Sequence, residues 1–88
     1  MNTMQLIQSI VNAVKTGEHY VPRGYETMGG MWTIDMWRKG NVVVRLLDEG
    51  YTTIISAPGL RVVDSGRGTV FEQGTEADLI KLAETIND

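Results

Sequence analysis

Cysteine is absent from this 88-residue chain, which excludes a disulfide framework and a thiolate metal site. Histidine occurs once, at His19. A single imidazole without cysteines or a tight carboxylate cluster does not make a zinc site, and neither Glu18 nor Glu26 stands at ligand-motif spacing from it. No metal and no cofactor are therefore expected. No apolar run approaches the roughly 20 residues needed to span a bilayer. The first residues, MNTMQLIQSIVNAVK, lack a basic leader and a continuous apolar stretch, so they do not read as a secretory signal. A cytoplasmic location and no membrane partner are expected. The net charge of −3 argues against a general nucleic-acid binder, which carries a basic face.

What is present fits one α+β domain. Residues 1–88 are too few for two domains, and a chain this short buries only about two thirds of its unfolded surface. Residues 3–15 read as an amphipathic helix with Met4, Ile7, Val11 and Val14 at helical spacing, widened by Leu6 and Ile10. Asn2 and Gln5 form its capping pair, and Gly17 supplies the stop. Residues 17–30 form a long connection, with an irregular edge strand around His19–Val21 as the alternative. Strands follow at Met31–Asp48 (a hairpin), Tyr51–Ala57, Leu60–Asp64 and Thr69–Glu72. The turns fall about ten residues apart, the spacing of an antiparallel meander. A second helix occupies residues 76–86, capped by Thr75, with Leu79, Ile80, Ala83 and Ile86 as its buried stripe. The expected fold is an antiparallel meander of four to five strands flanked by an N-terminal and a C-terminal helix. A five-stranded small barrel is the alternative.

The hairpin carries the most detail. A two-residue loop would leave both sheet faces mixed. A three-residue loop, Lys39-Gly40-Asn41, places Trp32, Ile34 and Met36 with Val42, Val44 and Leu46 on one wholly apolar face. It also sets Asp35 across from Arg45 and Trp37 across from Val43, both favourable cross-strand pairs. The three-residue loop is expected on those grounds. The second face then holds Asp35, Trp37, Val43, Arg45 and Leu47. Leaving several large apolar side chains wet is costly, at about 1.5–3 kcal/mol each. A helix covers that face, or the sheet curls closed, or it is a homodimer interface or a docking surface for another protein. Trp37 and Arg45 would be its anchors.

Other clusters are weaker. Glu18, His19, Tyr20, Arg23, Tyr25 and Glu26 hold the residue types of a metal-independent nuclease, but such residues also fill ordinary surface loops. Ser65-Gly66-Arg67-Gly68 has amides that would suit an anion, yet it fits no phosphate-loop pattern. Arg23, Arg38, Lys39, Arg45, Arg61 and Arg67 are interspersed with Trp32, Trp37, Tyr20, Tyr25 and Tyr51, a composition suited to single-strand stacking. Acids balance those bases, so nucleic acid is the secondary expectation. Glu72, Glu76, Asp78, Glu84 and Asp88 would offer a negative face, though capping and solvation account for them. The leading expectation is a non-enzymatic protein-binding module, an adaptor or an inhibitor, acting as a homodimer. Phage and mobile-element accessory proteins that block host machinery are a common class of such short, mildly acidic chains. Its contact residues would be Trp37, Arg45, Val43, Leu47 and Asp35.

Overall fold

The computed structural model describes residues 1–20, 27–28, 31–47 and 50–87, and the side chains of 1–20, 35–47 and 50–87. Arg23, Tyr25, Glu26, the turn at 48–49, Asp88 and the side chains of Trp32 and Ile34 lie outside the described residues. The elements in order are α1 (Thr3–Val14), β1 (Glu18–Tyr20), β2 (Thr27–Met28), β3 (Met31–Lys39), β4 (Val42–Leu47), β5 (Thr52–Ala57), β6 (Leu60–Ser65), β7 (Gly68–Gln73) and α2 (Glu76–Ile86). The strands pair antiparallel in the order β1-β3-β4-β5-β6-β7, and β2 pairs β3 off this path. The class is α+β, as the alternating and helical periodicities imply.

Six strands stand side by side, against the four to five expected. The added one is β1, Glu18–Tyr20, the edge strand expected as the alternative around His19–Val21; its three residues Glu-His-Tyr are too few and too polar to show an alternation. Gly17 lets the chain turn from α1 onto the sheet: a Cβ there would lie 2.2 Å from the Arg38 carbonyl oxygen, closer than any side chain tolerates.

Both helix starts follow their sequence signals. The Asn2 side chain accepts from the Gln5 N–H (2.8 Å), and the Gln5 side chain accepts from the Asn2 N–H (2.9 Å). The Asp78 carboxylate accepts from the Thr75 N–H (2.8 Å), which also places acid at the positive end of the dipole. α1 buries Leu6, Ile7, Ile10, Val11 and Val14, and α2 buries Leu79 and Ala83. Met4 and Ile80, expected in these stripes, point outward at 64% and 42% exposure.

The hairpin register differs from expectation. Lys39 pairs with Val42, Trp37 with Val44, Met36 with Arg45 and Asp35 with Leu46. The loop is therefore the two residues Gly40 and Asn41. Gly40 has φ 61°, the positive value that the first position of a hairpin turn of the primed types requires and that glycine adopts at least cost. Asp35 and Arg45 are not partners. Past Asp35 the pairing slips, so that Thr33 meets Leu47 and β3 carries a bulge.

Counting pairs across the sheet gives a continuous row, His19–Trp37–Val44–Ile55–Val62–Phe71, one residue from each of the six strands. Val44, Ile55 and Val62 are buried and share one core with α1 and α2, and Trp37 and Phe71 pack against its margins. Both helices thus lie on the same side of the sheet. They are also tied to each other, Thr3 to Glu76 (3.1 Å) and Asn87 to Ser9 (3.0 Å).

Ile55→Ala should cost about 2–5 kcal/mol in urea denaturation. In NMR, cross-strand Hα contacts will join the Asp35 and Leu46 neighbourhoods. A direct Asp35–Arg45 pairing would reinstate the three-residue loop.

Candidate functional site

Alternation along each strand sends the remaining side chains to the sheet side opposite the helices. One row there is Tyr20–Met36–Arg45–Ile54–Val63–Val70, and two residues along runs Glu18–Arg38–Val43–Ser56–Arg61–Gln73. The first is mostly aliphatic and the second mostly polar. No described helix covers either. Tyr20 and Val70, at the two ends of the aliphatic row, are 38% and 56% exposed. Met36, Val43 and Val63 are half-buried. The polar row is held by ion pairs: Arg61 Nε donates to Glu72 (2.8 Å), the bulge residue beside Gln73, and Arg38 lies 3.4 Å from Glu18. Exposed pairs of this kind add little to stability.

The expected contact residues divide between the two sides. Val43, Arg45 and Leu47 share the helix-free side. Leu47 is buried together with Ile54, outside the helix-packed core, so its side chain offers no surface. Trp37 and Asp35 lie on the helix side. The two-residue loop is the physical reason, since a one-residue change of register exchanges faces.

On the helix side Trp37 and Asp35 belong to a cluster at the β1 edge. His19 stacks on Trp37 with ring centroids 4.7 Å apart and planes 9° from parallel. The His19 Nε2–H donates to Asp35 Oδ1 at 2.7 Å. The Lys15 ammonium, just past the end of α1, lies 4.9 Å from the indole centroid, a cation–π contact. Lys39 Nζ donates to Thr16 Oγ1 (3.1 Å). These partners explain how a face holding Asp35 and Lys39 can still be the core face: its polar members sit at the rim, and β1 and the end of α1 satisfy them. Sequence reasoning offers the edge strand around His19 but not the cluster, because three polar residues carry no sign of which partners His19 meets.

Alternation in β1 also bears on the nuclease constellation. Glu18 and Tyr20 face one side of the sheet and His19 faces the other, so these groups do not converge on one point. On the helix-free side the Tyr20 hydroxyl donates to the Glu18 carboxylate. That bond, followed by the Arg38 guanidinium, holds the Glu18 carboxyl below its ordinary range, and the same bond raises the Tyr20 phenol. Among the described residues no three of His, Asp and Glu gather as a metal site. The Ser65–Gly68 segment is a plain hairpin loop in which the Arg67 N–H donates to the Ser65 hydroxyl (3.3 Å).

A second apolar feature lies on the outer surface of the helix pair. A groove of about 370 Å³ runs between α1 and α2, lined by Met1, Leu6, Ser9, Ile80, Ala83, Glu84 and Asn87. Among the described residues no helix is long and apolar enough to cross a membrane.

No protein-family model, curated protein or solved structure matches the chain. Its fold and surfaces define it as a small α+β protein with a two-helix layer on one side of an antiparallel sheet.

Tyr20→Phe removes the main cause of the low Glu18 pKa, so an NMR titration should show that carboxyl moving up toward its ordinary value. The sign for stability follows. A carboxyl depressed on folding contributes stability above its unfolded pKa, and the contribution is lost as pH falls through the folded value. Tyr20→Phe should therefore reduce the pH dependence of stability on the acid side.

Proposed function

We propose that this chain is a non-enzymatic protein-binding module, an adaptor or an inhibitor, that docks through the helix-free side of its sheet. The observation that supports it is the placement of both helices on one side. That placement leaves Val43, Arg45, Met36 and Val63 on a side with no described helix over it, bounded by the exposed Tyr20 and Val70. Protein interfaces combine an apolar centre with a polar rim, and arginine is enriched among their anchors. The two rows have that composition in their half-buried members Met36, Val43, Arg45 and Val63; Ile54, in the middle of the aliphatic row, is buried and offers no surface.

A nucleic-acid partner fits this side less well. Single strands are held by bases stacking on aromatic rings. Among the strand residues whose side chains are described, the only aromatic one on the helix-free side is Tyr20, at the end of its row. Trp37 and Phe71 stand on the helix side.

The test is affinity capture from lysate with nuclease present, run on the wild type, Val43→Lys, Arg45→Ala and the groove variant Ile80→Glu. A protein retained through nuclease treatment should fall at least about fivefold in recovery with Val43→Lys or Arg45→Ala, as expected for a loss of over 1 kcal/mol at an interface centre. It should stay unchanged with Ile80→Glu. Loss of all captured material on nuclease treatment, or a loss confined to Ile80→Glu, would remove docking from this side.

A further inference from the structure

The two outer strands of the sheet differ. In an antiparallel ladder the N–H and C=O of one residue point to the same neighbour, and the direction alternates residue by residue. Gly66 and Arg67 form a two-residue loop, so Ser65 and Gly68 flank it as a hydrogen-bonded pair. Counting on from there, Val63 and Val70 bond to each other, while the amide groups of Thr69 and Phe71 point away from β6. The same count started at the Gly40–Asn41 loop and carried through β4 and β5 gives the same result. It also shows that β1 turns only His19 outward. The β1 edge is three residues long and carries Glu18 and His19. The β7 edge is six residues long, has no lysine, arginine or proline, and pairs with no described strand. Its one charged residue, Glu72, is bonded back to Arg61. Natural sheets blunt their edges with charge, proline, bulges or brevity; β7 has a bulge and its one charge at Glu72, where Arg61 pairs with Gln73 and Val62 with Phe71, and leaves residues 68–71 without any of these devices.

We propose that β7 pairs antiparallel with β7 of a second copy of this chain, about a two-fold axis through Val70. The sequence is self-complementary in that register. Thr69 stands opposite Phe71 of the second copy, and these are the two residues whose amides point outward, so each pair exchanges both hydrogen bonds. Val70 meets its own symmetry mate in the closely spaced, non-bonded position. Part of the 56% of its surface left open at this edge is covered there. Glu72 falls against Gly68, so no like charges oppose one another. Phe71, half-buried at the margin of the core, gains a neighbour on its open side. The pairing makes one continuous sheet with all four helices on the same side. It does not rest on the docking proposal, and that proposal does not rest on it.

Sedimentation velocity across a dilution series, with amide hydrogen exchange, tests it. The wild type should reach twice the monomer mass. Its Thr69 and Phe71 amides should be protected in the dimer and lose that protection on dilution, while Val70 stays protected throughout. Val70→Lys and Val70→Glu should each sediment as folded monomers, because like charges then meet across the axis. An equimolar mixture of the two should regain the dimer. A wild type that remains monomeric up to about 1 mM, where even weak complexes form, would overturn the proposal. So would a dimer whose Thr69 and Phe71 amides exchange freely, or one that Val70→Lys leaves intact.

Discussion

The two-residue loop at Gly40–Asn41 sets the parity of the sheet, and the rest of the structure depends on that count. With Lys39 opposite Val42, Trp37 must stand opposite Val44, and the pairing through β5 and β6 then aligns Val44, Ile55 and Val62 under the helices. Full burial of such a side chain is worth about 1.5–3 kcal/mol. A register shift of one residue would replace Trp37 at the core margin with Arg38 or Met36. The positive φ of Gly40 is a small local feature, but apolar burial across the sheet holds it in place.

That parity brings polar residues onto the core side, and their positions explain why the fold tolerates them. Asp35, Lys39 and His19 all sit at the β1 end. There the last turn of α1 and the short strand β1 meet β3, and each group finds a partner: Asp35 in His19, Lys39 in Thr16. The same contacts fasten β1 and fill the sheet edge on that side. The opposite edge, β7, is tied back to β6 by Thr69–Asp64 (2.9 Å) and Arg61–Glu72 (2.8 Å), but no helix end reaches it as Lys15 and Thr16 reach the β1 end. The molecule is thus asymmetric in two directions, with helices on one side only and helix-end contacts at one edge only.

Much of this was legible in the sequence. Both helices, their caps, and the strands at 52–57 and 60–65 follow from periodicity and turn residues. The core positions Val42 and Val44 followed from alternation in β4. An all-apolar face and an Asp35–Arg45 pair both argue for the longer loop and put β3 on the wrong face, whereas the true side-chain partner of Asp35, His19, is 16 residues away in the chain. Nothing local in Glu18-His19-Tyr20 announces that contact. Met4 and Ile80 were misplaced for a related reason: helical spacing identifies a stripe, but the packing of α1 on α2 decides which of its margins stays covered. The expected contact set therefore divided, with Val43 and Arg45 left on the helix-free side.

The architecture turns on which side of the sheet the helices occupy. A soluble gadolinium chelate added to methyl-labelled protein reads this directly, since it attenuates methyl signals according to their approach to solvent. The methyls of Val43, Val63, Met36 and Val70 should be attenuated well ahead of those of Val44, Ile55 and Val62. Equal attenuation of Val43 and Val44, or stronger attenuation of Val44, would contradict the register and the two-sided architecture built on it.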